Sequence, residues 1–126
     1  MRWSIRFAFA LLSVTATAGN AQQSADPSGV WLRDDGNARV RIAPCGDNIC
    51  ATNEWIGDTS QGEEVGDRLV MSLEPKAAGT LEGTAYDEKR NRAYSMTLKV
   101  KGNGLVTRGC VLGGLLCRNV NWAPAN

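Results

Sequence analysis

From Gly29 onward, apolar and polar residues alternate in short runs broken repeatedly by Gly, Asn and Asp. A period of two sends successive side chains to opposite faces of an extended chain, so each run reads as a half-buried β-strand. The clearest is residues 92–101. Tyr94, Met96, Leu98 and Val100 fall on one face, and Ser95, Thr97, Lys99 and Lys101 on the other. The same reading places strands at 29–33, 38–42, 49–56, 67–73, 80–86, 105–111 and 115–122. No stretch of this region sustains the 3.6-residue period of an amphipathic helix.

The connections set the topology. Asp34-Asp35-Gly36-Asn37, Gly46-Asp47-Asn48 and Gly102-Asn103-Gly104 are turn sequences, and only the polar loop at 57–66 is long. Short links join antiparallel neighbours, and eight such strands make a sandwich or an up-and-down barrel. The barrel is expected, because closure removes the exposed edges that invite aggregation. The fold class is therefore all-β, a small eight-stranded antiparallel barrel, in which Trp31 and Trp122 on the first and last strands lie close together. Val40, Ile42, Trp55, Leu69, Met71, Tyr94, Met96 and Leu98 are expected to face inward. Gly83 and Ala85 leave room among them, so the interior is either open or filled by its own side chains. The outward positions Arg39, Arg41, Glu82, Lys99 and Lys101 exclude a lipid-facing apolar band.

Ahead of the barrel, residues 1–21 combine Arg2 and Arg6 with an apolar stretch at 7–14 and small residues that offer cleavage after Ala18 or Ala21. That is the three-part pattern of a secretory leader, and the apolar stretch falls short of the roughly 20 residues a spanning helix needs. Cleavage is expected after Ala21, leaving a short flexible segment at 22–28 and one domain at 29–123. The product is expected to be soluble, monomeric and periplasmic or secreted. Loss of the two leader arginines turns the formal charge from +1 to −1. A chain so near neutrality carries no basic stripe for nucleic acid.

Four cysteines allow three pairings. Cys45 and Cys50 bracket one turn, and Cys110 and Cys117 bracket another. A two-residue loop at Asp47-Asn48 sets Cys45 directly opposite Cys50, and Gly113-Gly114 does the same for Cys110 and Cys117. Local disulfides are expected in an exported chain. A Cys₄ zinc site has the wrong spacings, and no Cys-x-x-Cys is present for redox work.

The chain has no histidine, which removes the commonest general base and metal ligand. Glu63-Glu64 reads as a solvated loop and Asp34-Asp35 as a turn, while Tyr86-Asp87 is an acid–base pair only if a pocket gathers both. Lys89, Arg90 and Arg92 read as a solubilising basic turn. No enzyme, metal or cofactor is expected from this inventory.

Several pieces together resemble an uncharacterised bacterial family, domain of unknown function 2147. They are Gly29-Val30-Trp31, Val40-Arg41-Ile42-Ala43-Pro44-Cys45-Gly46 with Cys50, Leu81-Glu82-Gly83-Thr84-Ala85-Tyr86-Asp87, Ala93-Tyr94 with Leu98, and the run from Arg108 to Cys117, ending at Trp122. The chain departs from the family pattern at Ile49-Cys50-Ala51 and in the hairpin Glu88-Lys89-Arg90-Asn91. The resemblance implies an exported barrel similar to lipocalins and fatty-acid-binding proteins, without an established activity. Gly29-Val30-Trp31 also looks like the Gly-x-Trp that opens the lipocalin barrel, which implies a late arginine, Arg118 or Arg108, stacked on Trp31. The expected role is a binding protein for a small apolar or amphipathic ligand. The alternative is a module that binds another envelope protein.

The local pairing has a direct test in non-reducing digestion between residues 50 and 110 followed by mass mapping. Two separate disulfide-bearing fragments are expected, and one linked fragment contradicts the pairing.

Overall fold

The computed structural model describes residues 8, 10–13 and 25–125. The expected leader and its cleavage point lie largely outside these residues; 8 and 10–13 are exposed and without regular structure. Eight strands follow in chain order: β1 (Gly29–Arg33), β2 (Ala38–Cys45), β3 (Asn48–Ile56), β4 (Arg68–Ala77), β5 (Thr80–Asp87), β6 (Arg92–Lys101), β7 (Gly104–Val111) and β8 (Leu116–Pro124). Each pairs antiparallel with its neighbours, and β8 returns to β1, closing the barrel. At the closure Trp31 pairs with Pro124 and Arg33 with Trp122. The two tryptophans therefore lie diagonally across one strand pair on the inward face, Trp31 buried and Trp122 half-buried.

Alternation is kept on most strands. On β6, Met96 and Leu98 are buried while Ser95 and Lys99 are exposed. Trp31, Leu81, Leu98 and Leu105 pack together and plug one end of the barrel. Of the stretch 22–28, expected as a flexible lead-in, residues 25–28 are described, and they pack against this closed end. Ala25 contacts the core, and the Trp31 indole N–H donates to the buried Pro27 carbonyl at 2.9 Å.

The alternation expected of β3 fails at one point. The register with β2 slips between Arg39 and Val40: Val40 pairs with Asn53, but Arg39 pairs with Trp55, leaving Glu54 without a partner. Such a bulge reverses the faces of every residue beyond it. Ile56 consequently turns inward and Trp55 outward, against expectation, where it is 41% exposed beneath the Arg39 guanidinium 5.8 Å from the ring.

Cys45 is bonded to Cys50 and Cys110 to Cys117, at S–S distances of 2.02 and 2.16 Å. The first hairpin turns one residue earlier than expected. Gly46-Asp47 is the loop, with Gly46 at φ 64°, so Cys45 pairs with Asn48, Cys50 with Ala43, and the bonded cysteines stand diagonally. In the second hairpin Cys110 and Cys117 are directly opposed. Its connection is a four-residue loop containing a 3-10 turn at Leu112–Gly114, rather than the two glycines alone.

Gly83 is required for a reason separate from cavity space. A Cβ there would sit 2.0 Å from the Ser72 carbonyl oxygen, because β4 and β5 approach closely. Gly83→Ala is expected to cost about 1–3 kcal/mol through overpacking. In chemical denaturation Leu98→Asp should abolish folding by burying an unpaired carboxylate. Lys99→Asp, one residue along and outward, should change stability by no more than about 0.5–1 kcal/mol. Equal damage at 98 and 99 would contradict a single-layer barrel.

Candidate functional site

The end of the barrel opposite the plug is ringed by the 34–37 turn, the 57–67 loop, the 88–91 turn and the 112–115 loop. Beneath them the interior is open, a cavity of about 640 Å³. Its deep part is apolar, formed by Val40, Ile42, Met71, Met96 and Leu98 with the Trp122 indole on one side. Tyr94 and Leu69 line it as the alternation leads one to expect, and Trp55 does not. The upper part is polar and includes Arg33, Asn53, Glu63, Asp87 and Arg118.

The 57–67 loop is tied across this mouth at both sides. Arg33 donates to both Glu63 oxygens at 2.5 and 2.8 Å and through Nε to Asp35 at 2.9 Å. The Asn37 amide donates to the Asp58 carbonyl at 3.0 Å and its oxygen accepts the Asp58 N–H at 2.7 Å. On the far side the Gly62 carbonyl accepts from Lys89 Nζ at 3.1 Å and from Arg90 Nη2 at 3.2 Å. Glu63, expected as part of a solvated loop, is instead the central anchor, and the Lys89-Arg90 turn is a second anchor. The hydrogen bonds from Arg33 hold the Glu63 and Asp35 carboxyls below their ordinary range and push the Arg33 guanidinium pKa further up.

Asp87 is the one buried charged residue among those described. Its carboxylate accepts the backbone N–H groups of Lys89 and Arg90, both at 3.1 Å, and Arg90 Nη1 at 3.0 Å. It shapes the turn that meets the loop. Tyr86 points to the outer face, where its hydroxyl meets Asn91, so Tyr86 and Asp87 are not gathered as an acid–base pair. Among the described residues no three carboxylate or cysteine side chains come together as a metal site.

The implied arginine stack on Trp31 is absent among the described residues. Arg108 lies on the outer face, bonded to Asn119 Oδ1 at 3.3 Å. Arg118 is on the inward face of β8 but toward the mouth, with Val120 and Trp122 between it and the closed end. The sequence singled out Arg118 by position and misjudged its surroundings.

Beside the mouth the Cys110–Cys117 bond closes a loop whose Leu112, Leu115 and Leu116 are 69%, 83% and 60% exposed. Two disulfides point to a compartment outside the reducing cytoplasm. Among the described residues no helix is long and apolar enough to cross a membrane.

The loop anchorage carries a pH dependence. A carboxylate with a lowered folded pKa contributes stability that is complete above its unfolded value and is lost as pH falls through the folded one. For Glu63 the ordinary value is 4.5 and the folded one lies lower, so the loop should be fully held at neutral pH and its hold should weaken progressively as pH falls below 4.5. Hydrogen exchange at the Gly62 and Gly66 amides, corrected for intrinsic rates, should show this release, and Glu63→Gln should expose them at neutral pH too. Protection unchanged from pH 7 to pH 3 would contradict the anchorage.

A family model described as an uncharacterized protein conserved in bacteria (DUF2147) matches residues 29–123, the whole barrel but its last strand residue. No curated protein and no solved structure matches the chain.

Proposed function

The chain belongs to this uncharacterised bacterial family, and we propose that it is a non-enzymatic binding protein of the cell envelope, exported by its leader, that takes a small apolar or amphipathic ligand into the barrel. The observation that carries this reading is the open interior. At about 640 Å³ it falls within the 300–1,000 Å³ usual for small-molecule sites, and its walls are chiefly apolar with a few polar groups at one end. An interior meant only as a core would be packed to the density of an organic crystal. Here the side chains close one end and leave a cavity open toward the other. The inventory of groups supports binding over catalysis, since the strongest charged contacts tie loops together rather than converge on a reacting position.

A second reading has its own observation. Three exposed leucines on a disulfide-held loop form an apolar tip of the kind that meets another protein. In that case the barrel is an envelope interaction module and the tip its contact.

Native mass spectrometry of protein purified gently from its own envelope tests the first reading. A bound small amphiphile is expected, and it should be lost in Gly109→Trp, whose new side chain projects into the cavity. A Cβ at Gly109 meets only Met96 Cε at 3.5 Å, so this position has room to start a side chain. A wild-type protein that carries nothing and takes up no added amphiphile would overturn the proposal. Co-purification of a protein that is lost on replacing Leu112 and Leu115 by Ser would favour the second reading.

A further inference from the structure

The proposed ligand has two ends in this cavity, and the wall built by β6, β7 and β8 differs from the rest. All 13 Asp and Glu side chains precede residue 89, while half of the 14 Lys and Arg lie at 89 or later. The side chains of this third of the barrel therefore include no carboxylate. Its inward face carries one charge within the cavity lining of these strands, Arg118.

The register shows what surrounds that charge. Met96 pairs with Gly109 and Gly109 with Arg118; one step deeper, Leu98 pairs with Thr107 and Thr107 with Val120. Directly paired side chains stand about 4.5–5.5 Å apart at Cβ. Gly109 contributes none; the Met96 methyl lies 3.5 Å from where its Cβ would stand, and the gap left on the Arg118 side opens into the cavity. Tyr94 lies two residues from Met96 on the same face, toward the mouth, and Thr107 two residues from Gly109, toward the floor.

The polar groups around the gap have hydrogen-bonding capacity left. Arg33, Arg68 and Arg90 each hold a carboxylate, but among the described residues Arg118 makes no ion pair and no side-chain hydrogen bond. Asp35 feels the Arg118 charge, yet its oxygens accept from Arg33 and from the Asn37 N–H. Thr107 Oγ1 accepts the Trp122 indole N–H at 3.0 Å, which leaves its own O–H to donate. The Tyr94 hydroxyl has no hydrogen-bond partner among the described residues, it is not a buried unsatisfied group, and Tyr94 lines the cavity.

Resting on the ligand-binding reading above, we propose that this wall is the head-group site for an amphipathic carboxylate. The carboxylate accepts from the Arg118 guanidinium and from the Tyr94 and Thr107 hydroxyls. Its alkyl chain runs past Met96 toward Met71 and Leu98. Arginine suits the task because its planar fork meets both oxygens of a carboxylate at once. Glycine at 109 supplies the space for the head group.

Isothermal titration of the leaderless protein with dodecanoate, dodecanol and dodecylamine, which share one chain and differ in head group, tests this assignment. Dodecanoate is expected to bind at least about tenfold more tightly than dodecanol, with dodecylamine weakest, as a charge-assisted hydrogen bond implies. Arg118→Gln should reduce dodecanoate to the affinity of dodecanol and leave dodecanol unchanged. Tyr94→Phe should lower the dodecanoate preference by a smaller factor. Arg118 is exposed and has no ion-pair partner among the described residues, so its replacement should leave the melting temperature in place, and Arg118→Lys should restore part of the preference. Equal binding of the three amphiphiles, or a preference that survives Arg118→Gln, overturns the head-group site and leaves cavity binding standing. Failure of all three to bind removes the binding reading and this site with it.

Discussion

The barrel is held shut by a short seam. β1 contributes five residues, of which Trp31, Leu32 and Arg33 pair with Pro124, Ala123 and Trp122 of β8. That pairing removes both sheet edges and makes the inward face of every strand part of one enclosure. The seam is reinforced where its ladder is shortest: the Ala125 N–H donates to the Val30 carbonyl at 2.9 Å and the Asn121 N–H to Asp34 at 3.0 Å. Trp31 and Trp122 fill the space beside it. Without closure neither the plugged end nor the open one would exist.

The two ends are then built differently from the same alternation. At the plug, inward positions carry Trp31, Leu81, Leu98 and Leu105, large enough to meet across the axis. Toward the mouth the inward positions Ala51, Asn53 and Gly109 are too small to meet across the axis, and the volume beside them stays open. Charged groups close over that volume as a hydrogen-bonded rim instead of a packed layer. An apolar depth beneath a polar rim is the environment an amphiphile matches at both ends.

Much of this was legible in the sequence. Period-two alternation and Gly/Asn/Asp turns gave eight strands, their order and most inward residues, because those features depend on neighbours in the chain. Cysteines bracketing turns gave both bonds for the same reason. What escaped depends on partners far away. The extra residue Glu54 is visible only in the pairing of β2 with β3, and it alone sends Trp55 outside. The Arg33–Glu63 pair spans thirty residues, so nothing local distinguishes Glu63 from a solvated acid. Arg118 resembles a stacking arginine in its place along the chain, yet its surroundings depend on the β7–β8 register, which sets it beside Gly109 near the mouth.

A ligand that entered the interior would meet two methionine side chains. The chain has three methionines, and the two beyond the leader, Met71 and Met96, both line it. Methyl NMR of the leaderless protein labelled at methionine Cε therefore reports the interior through two signals. On addition of dodecanoate both signals should shift and both methyls should show contacts with the alkyl chain. Two methyl signals that stay fixed, with amide shifts confined to the outer face, would contradict a ligand cavity.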